Sequence, residues 1–209
     1  MGYRTLPVTA FEQNCSILWC GRTRKAVIVD PGGDEQQIIA AVEQEGVEPV
    51  MVALTHGHLD HVGGTAVIAR HYGVPVIGPH IADRFWIDAL QQQVQMFGFP
   101  AVEDFVPDRW LQAGDRLDFG EQRLQVRFCP GHTPGHVVFY HESERVVFVG
   151  DVIFRGSIGR TDFPQGNHQQ LLDSIRQQIF TLDDDVTLVP GHGPNTSVGV
   201  EKATNPFVR

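Results

Sequence analysis

Four apolar runs in this chain end within a few residues of a histidine or an aspartate, and that recurrence is the strongest constraint on what the chain can fold into. Val50 to Leu54 leads to Thr55-His56-Gly57-His58-Leu59-Asp60-His61, and Leu124 to Cys129 leads to Pro130-Gly131-His132. Val146 to Val149 leads to Gly150-Asp151, and Thr187 to Val189 to Pro190-Gly191-His192. Short apolar runs bounded by Gly and Pro read as buried strands. Glycine and proline beside each polar residue permit tight, rigid loops, so the four strand ends are expected to gather at one edge of the sheets. Packing is a poor reason for such a gathering, because convergent imidazoles and carboxylates repel and are costly to desolvate. Neutral imidazole nitrogen and carboxylate oxygen are good donors to a divalent metal.

The rest of the chain supplies a scaffold. Ser16 to Cys20 and Ala26 to Val29 form a strand hairpin, and the spacing of Ile38, Ile39 and Val42 predicts a helix that starts at Asp34 and ends at Gly46. Asp34 and Gln37 are spaced to cap that helix reciprocally. A second helix is expected to end near Gly73 and a strand to follow over Val74 to Ile77. His80 to Phe99 is helical in pattern without one continuous apolar stripe, so Trp86, Met96 and Phe97 read as core or edge packing. Strands follow at Arg116 to Phe119, Leu124 to Cys129, Val137 to Tyr140 and Val146 to Val149, and Asn167 caps a last helix through about Thr181. Two strand-rich halves, each followed by helices, argue for two packed sheets with helices outside in one domain over residues 1–209.

Charge and composition remove several classes of partner. The formal charge of −9 and the lack of a dense Lys/Arg run offer no footprint for a phosphate backbone, so nucleic acid is not an expected partner. No stretch reaches the roughly 20 apolar residues of a membrane span, and Met1 to Asn14 lacks the pattern of a secretory signal, so a cytoplasmic protein without membrane contact is expected. Cys15, Cys20 and Cys129 are widely spaced and read as reduced, packed thiols.

The run H-x-H-x-D-H at His56 to His61, followed by His132, Asp151 and His192, resembles the metallo-β-lactamase superfamily, and the likeness extends from Asp30 to His192. That resemblance implies an α+β fold, a four-layer αβ/βα sandwich of two mixed sheets with helices outside and a metal site along one edge. It also implies two divalent ions per chain. His56, His58 and His132 would hold one, Asp60, His61 and His192 the other, and Asp151 would bridge them. Zinc is expected, and the nitrogen and oxygen donor set also suits iron or manganese.

Within that superfamily THGHLDHVGG, CPGHTPGHVVF, GDVIFRGSIGRTDFP and PGHGP are most similar to the short type II glyoxalases, the hydroxyacylglutathione hydrolase-like proteins. The implied activity is hydrolysis of small acyl-glutathione-type thioesters such as S-lactoylglutathione, by a metal-bridging hydroxide that attacks the carbonyl. A thiolate leaves readily, its pKa being about 8.5 for a free thiol, so no Ser or Cys nucleophile is required. Asp60 and Asp151 are the catalytic candidates. Asp60 either coordinates only or also orients the attacking water. Gly159 to Phe163 is also similar to a run in the persulfide dioxygenases, which use one iron, and a catalytically silent metal-binding module is a third reading.

Outside the ligand pattern, Asp30 and His136 are expected to steady the His56 and His132 loops by hydrogen bonding. Arg155 and Arg160 flank the glycine loop after Asp151, where they could meet a carboxylate-bearing thiol, with Phe154 as an apolar wall. The long type II glyoxalases carry a further C-terminal region that contacts glutathione, so weak discrimination of the thiol is expected here. His71, His80, His141 and His168 read as solvated.

Overall fold

The computed structural model describes residues 1–208. Its first sheet holds β1 (Gly2–Val8), β2 (Gln13–Trp19), β3 (Lys25–Val29), β4 (Glu48–Ala53) and β5 (Val76–Ile77), in that order. β1, β2 and β3 pair antiparallel, whereas β3, β4 and β5 pair parallel. The second sheet contains β6 (Arg116–Phe119), β7 (Gln122–Phe128), β8 (Val137–His141) and β9 (Val146–Gly150). A small hairpin of β10 (Ile153–Phe154) and β11 (Ser157–Ile158) stands apart, and β12 (Thr187–Pro190) and β13 (Thr196–Ser197) complete the second sheet in the order β13-β12-β9-β8-β7-β6. β12 runs parallel to β9 and the other pairs are antiparallel, so both sheets are mixed, as expected.

Alternation along the strands produces the layers. In β3, Val27 and Val29 face Leu117, Phe119, Val137, Phe139 and Phe148 of the other sheet. Ile28 points the opposite way, into a cluster with Ile38 and Val42 of α1 (Glu35–Glu45) and Ile68 of α3 (Thr65–Tyr72), which follows the short α2 (Leu59–Val62). Val138, Val147 and Val149 likewise leave the inter-sheet core to meet Leu171 of α6 (His168–Ser174) and Val198 of α7 (Val198–Thr204). Strands with both faces covered must be apolar throughout, which is why the runs at 26–29 and 146–149 show no polar alternation. The helices outside are α1, α3, α4 (Arg84–Asp88) and α5 (Leu90–Phe97) on the first sheet, and α6 and α7 on the second. Among the described residues, no helix is long and apolar enough to cross a membrane.

Several local expectations need correction. Asp34 does not cap α1 with its side chain. Its backbone is left-handed (φ 51°) and its carboxylate accepts from Thr9 N at 2.6 Å, while Gln37 Nε2 donates to Pro7 O at 3.1 Å. Both residues therefore tie the helix to the β1–β2 turn, a tertiary demand that displaces the local cap. The last long helix leaves α geometry at Ser174 and continues as a π-helical turn over Ile175–Ile179. His141 is buried, with Nε2 2.9 Å from Gln122 Oε1 and Nδ1 accepting from Glu144 N at 3.2 Å, so it is a turn-stabilising residue and not a solvated one. β1, β10, β11, β13 and α7 were not legible as elements. The three cysteines are buried and free, as expected.

Candidate metal centre

Every polar residue singled out at a strand end lies at one edge of the sandwich. Asp30 follows β3, His56 follows β4, His132 lies between β7 and β8, Asp151 follows β9 and His192 follows β12. His58 precedes α2, whose single turn carries Asp60 and His61. The close approach needs small residues. A Cβ on Gly191 would stand 2.2 Å from Asp151 Oδ1 and 2.6 Å from His61 Cε1, so a side chain there would fill the centre.

The donors fall into two groups, His56, His58 and His132 in one and Asp60, His61 and His192 in the other, with donor atoms within 4.8 Å of one another inside each. Asp151 lies between them: Oδ1 is 3.3 Å from His61 Nε2, and Oδ2 is 3.6 Å from His132 Nε2 and 3.7 Å from His192 Nε2. Asp60 Oδ2 faces His192 Nε2 at 3.2 Å. Asp30, His56 and His61 form a third such group, but Asp30 spends its oxygens elsewhere. It accepts from Thr55 N at 2.7 Å and Thr55 Oγ1 at 2.5 Å, and from His61 Nδ1 at 2.9 Å.

Outward hydrogen bonds aim the rings inward. His132 Nδ1 donates to Arg160 O at 2.7 Å and His192 Nδ1 to Phe11 O at 3.1 Å, which leaves Nε2 of each toward Asp151. Thr55 Oγ1, having given its proton to Asp30, accepts from His56 Nδ1 at 3.0 Å. An oxygen acceptor on one ring nitrogen fixes the tautomer and makes the other nitrogen a better metal donor. His136 reaches further than its own loop. It stacks on His56 with centroids 4.6 Å apart, and its Nε2 accepts from Asp151 N at 3.1 Å, so it holds the backbone of Asp151.

This structure passes a test for cations. Nε2 of His56, Nε2 of His61 and Oδ1 of Asp151 are buried and have no hydrogen-bond partner, and such atoms each carry a desolvation penalty of about 1–3 kcal/mol unless something satisfies them. Burial drives His56 and His136 well below the usual imidazole range, and His58 to about 3, so these rings stay neutral, and His56 and His58 are free to donate to a cation. Burial also pulls on His61, but the carboxylates of Asp151 and Asp60 outweigh it and raise it well above the usual imidazole range, the mark of a place where negative charge is concentrated. The His/Asp clusters fit a dinuclear metal site.

Two features were not legible in the sequence. Asp83, buried just before α4, accepts from Gly57 N at 2.9 Å and Thr133 Oγ1 at 2.7 Å on one oxygen, and from Gly135 N at 2.5 Å on the other. It thereby clasps the loop of His56 and His58 to the loop of His132. No local signal marks it, since its partners are distant in sequence. The second feature is a cavity of about 480 Å³ that opens onto His58, Asp60, His132, Asp151 and His192. Trp86 and Phe97 line it, against the expectation of plain packing, together with Phe11, Phe99, Phe154 and Phe163. Arg160 stands at its rim with Nε and Nη2 each 2.7 Å from the Asp162 carboxylate, whereas Arg155 is exposed and does not line the cavity.

Two mixed sheets between helices, with nitrogen and oxygen donors grouped at the strand ends, define an α+β metal-binding sandwich protein. Comparison with known proteins makes this specific: the model of the metallo-β-lactamase superfamily matches residues 8–192, and the chain belongs to that superfamily. It is 43% identical over 209 residues to hydroxyacylglutathione hydrolase GloC of Haemophilus influenzae, covering 100% of this chain and 98% of the relative. The crystal structure of BLEG-1, a B3 metallo-β-lactamase, is 35% identical with a TM-score of 0.92 and 99% of both chains covered. That of TTHA1623 in a di-iron-bound form is 34% identical with a TM-score of 0.89, covering 98% of this chain and 99% of the other.

Proposed function

We propose that this protein hydrolyses small acyl thioesters, S-lactoylglutathione among them, at a dinuclear centre that His56, His58 and His132 would hold on one side and Asp60, His61 and His192 on the other, with the Asp151 carboxylate between the two groups. The observation that carries the reading is the pair of donor groups flanking one buried carboxylate at the floor of an open cavity. The likeness to a protein named hydroxyacylglutathione hydrolase supports the choice of thioester. Two divalent cations, zinc, iron or manganese, would supply a nucleophilic water at neutral pH and polarise the carbonyl oxygen.

The chain's own residues do the rest. Burial opposes ionisation of Asp60, but His61 and His192 hold its carboxyl below the ordinary range, so Oδ2 is an acceptor at neutral pH. It lines the cavity, where it can orient the attacking water and take its proton. Asp151 stays ionised for the same reason, since the neighbouring His61, His132 and His192 outweigh its burial, and this keeps the two donor groups together. Phe154, with its ring 6.2 Å from that of His192, walls the cavity beside the second group. The thiolate needs no general acid to leave at neutral pH.

Thiol release and oxygen uptake, measured in parallel on zinc-, manganese- and iron-loaded protein, test the reading. Thioester hydrolysis with redox-silent zinc supports it. Oxygen uptake with glutathione persulfide only under iron, without thioester turnover under any loading, overturns it in favour of a mononuclear iron dioxygenase. A protein that binds metal but turns over neither substrate is the silent module.

A further inference from the structure

We infer that the cavity selects thioesters by an apolar acyl group, so that the preferred substrate class is a small thioester with an aliphatic or aryl acyl chain and not a polar acyl-glutathione. This deepens the thioesterase reading of the same site and rests on it.

The walls are the first ground. Besides Phe154 of β10, four separate segments contribute rings: Phe11 from the β1–β2 turn, Trp86 from α4, Phe97 and Phe99 from α5 and its end, and Phe163 from the loop before α6. They touch in sequence around the opening. Phe99 stacks on Phe11 at 5.6 Å, Phe11 meets Phe97 edge-on at 6.4 Å, and Phe97 meets Phe163 at 6.2 Å. Phe163 meets Trp86 at 6.0 Å, and both lie against His58, at 5.2 and 4.6 Å. An aromatic wall thus runs from solvent to the metal centre. Phe11 and Phe97 remain 45% and 41% exposed at its outer end, which is costly apolar surface unless a ligand covers it.

The second ground is the shortage of polar recognition. Glutathione carries two carboxylates and an ammonium, and a site built for it would present groups to pair with them. Among the described residues lining the cavity, Arg160 is the one cationic side chain other than histidine. Its Nε and Nη2 are given to Asp162, and its Cζ sits over the Phe163 ring, 4.1 Å from the centroid. Gln93 is equally committed, its amide bound to Leu59 N at 3.0 Å and Trp86 O at 2.7 Å. The chain's charge of −9 gives no attraction for an anionic tripeptide. An alkyl chain needs none of these partners, and each methylene fully buried is worth about a fourfold gain.

An acyl series on one thiol tests this. Acetyl, butyryl and hexanoyl thioesters of N-acetylcysteamine, with S-lactoylglutathione alongside, are assayed on zinc-loaded protein. The expected kcat/KM rises about 10- to 100-fold from acetyl to hexanoyl, and hexanoyl exceeds S-lactoylglutathione. Phe11→Ala and Phe97→Ala, at half-exposed positions, each cut the hexanoyl-to-acetyl ratio by about three- to tenfold. Calorimetric titration with the non-hydrolysable S-hexyl and S-methyl thioethers of the same thiol gives a readout independent of turnover, with the hexyl compound binding at least tenfold more tightly. Equal affinities, or a flat acyl series with efficient S-lactoylglutathione hydrolysis, overturn the apolar preference and leave the thioesterase reading intact. Tight hexyl binding without hydrolysis of any thioester does the reverse.

Discussion

Replacing Asp83 by asparagine separates support of the metal centre from ordinary packing. The carboxylate accepts three donors, and an amide of the same shape has one oxygen for the two sides. With its nitrogen toward Gly135, that backbone N–H loses its acceptor; turned the other way, Gly57 N–H does, while the Thr133 hydroxyl rotates to compensate. Either rotamer leaves one buried N–H facing a donor, at about 1–3 kcal/mol. The global stability change is smaller than that figure, because burial pushes the Asp83 carboxyl up to about 6 and the neutral amide escapes that penalty. The loss is therefore concentrated where the two loops meet. Support of this kind is worth about 10- to 100-fold in metal affinity, and it falls on the His56, His58 and His132 group, whose loops Asp83 clasps. Asp60, His61 and His192 lie outside that clasp, so the second group is less affected. Competitive chelator titration of wild type and Asp83→Asn resolves two binding steps, with a thermal melt of each as control. Two dissociation constants within threefold of wild type would refute the clasp, whatever the melt shows.

The remaining expectations concern the centre itself. Asp151→Ala should abolish activity and weaken both metal-binding steps, whereas His136→Ala, which frees the Asp151 backbone and removes the ring stacked on His56, should cost about 10- to 100-fold; the opposite order in metal-loaded variants would refute the two roles. Elemental analysis should find close to two metals per chain and preferential loss of one in His192→Ala, and a fully loaded wild type with one tightly held iron would contradict the pairing. For metal-stripped protein, the urea midpoint should fall as pH drops from about 6.5 to 5. Burial keeps His56, His58 and His136 neutral in the fold, and lowers His132, while the unfolded chain takes up protons, so stability present above the unfolded pKa is lost on acidification. His61 and His192 are held above the usual range and add little to the slope there, and Asp83, raised by burial, opposes the trend with one proton against at least three. A midpoint that is flat or rises toward pH 5 would refute the assignment of neutral rings.

The strand ends show what was legible. An apolar run that stops at Gly or Pro and then places His or Asp tells where a strand ends and what chemistry stands there, because burial and metal donation are properties of the residues themselves. Hence β3, β4, β6, β8, β9 and β12 and the groups at His56–His61, His132, Asp151 and His192 could be read directly. β1 could not. It is an edge strand carrying Pro7, with exposed Tyr3 and Pro7, so neither continuous apolarity nor clean alternation marks it.

Asp34 shows the same boundary from the other side. Its spacing to Gln37 obeys a local rule, yet Thr9 N, 25 residues away, takes the carboxylate. The aromatic wall, the Asp83 clasp and the outward bonds that aim each imidazole all join segments tens of residues apart. Residue type and spacing determined the fold class, the strand ends and the donor atoms, since those follow from short-range pattern. Which atoms meet was decided only when the two sheets closed and distant loops competed for the same hydrogen-bond partners.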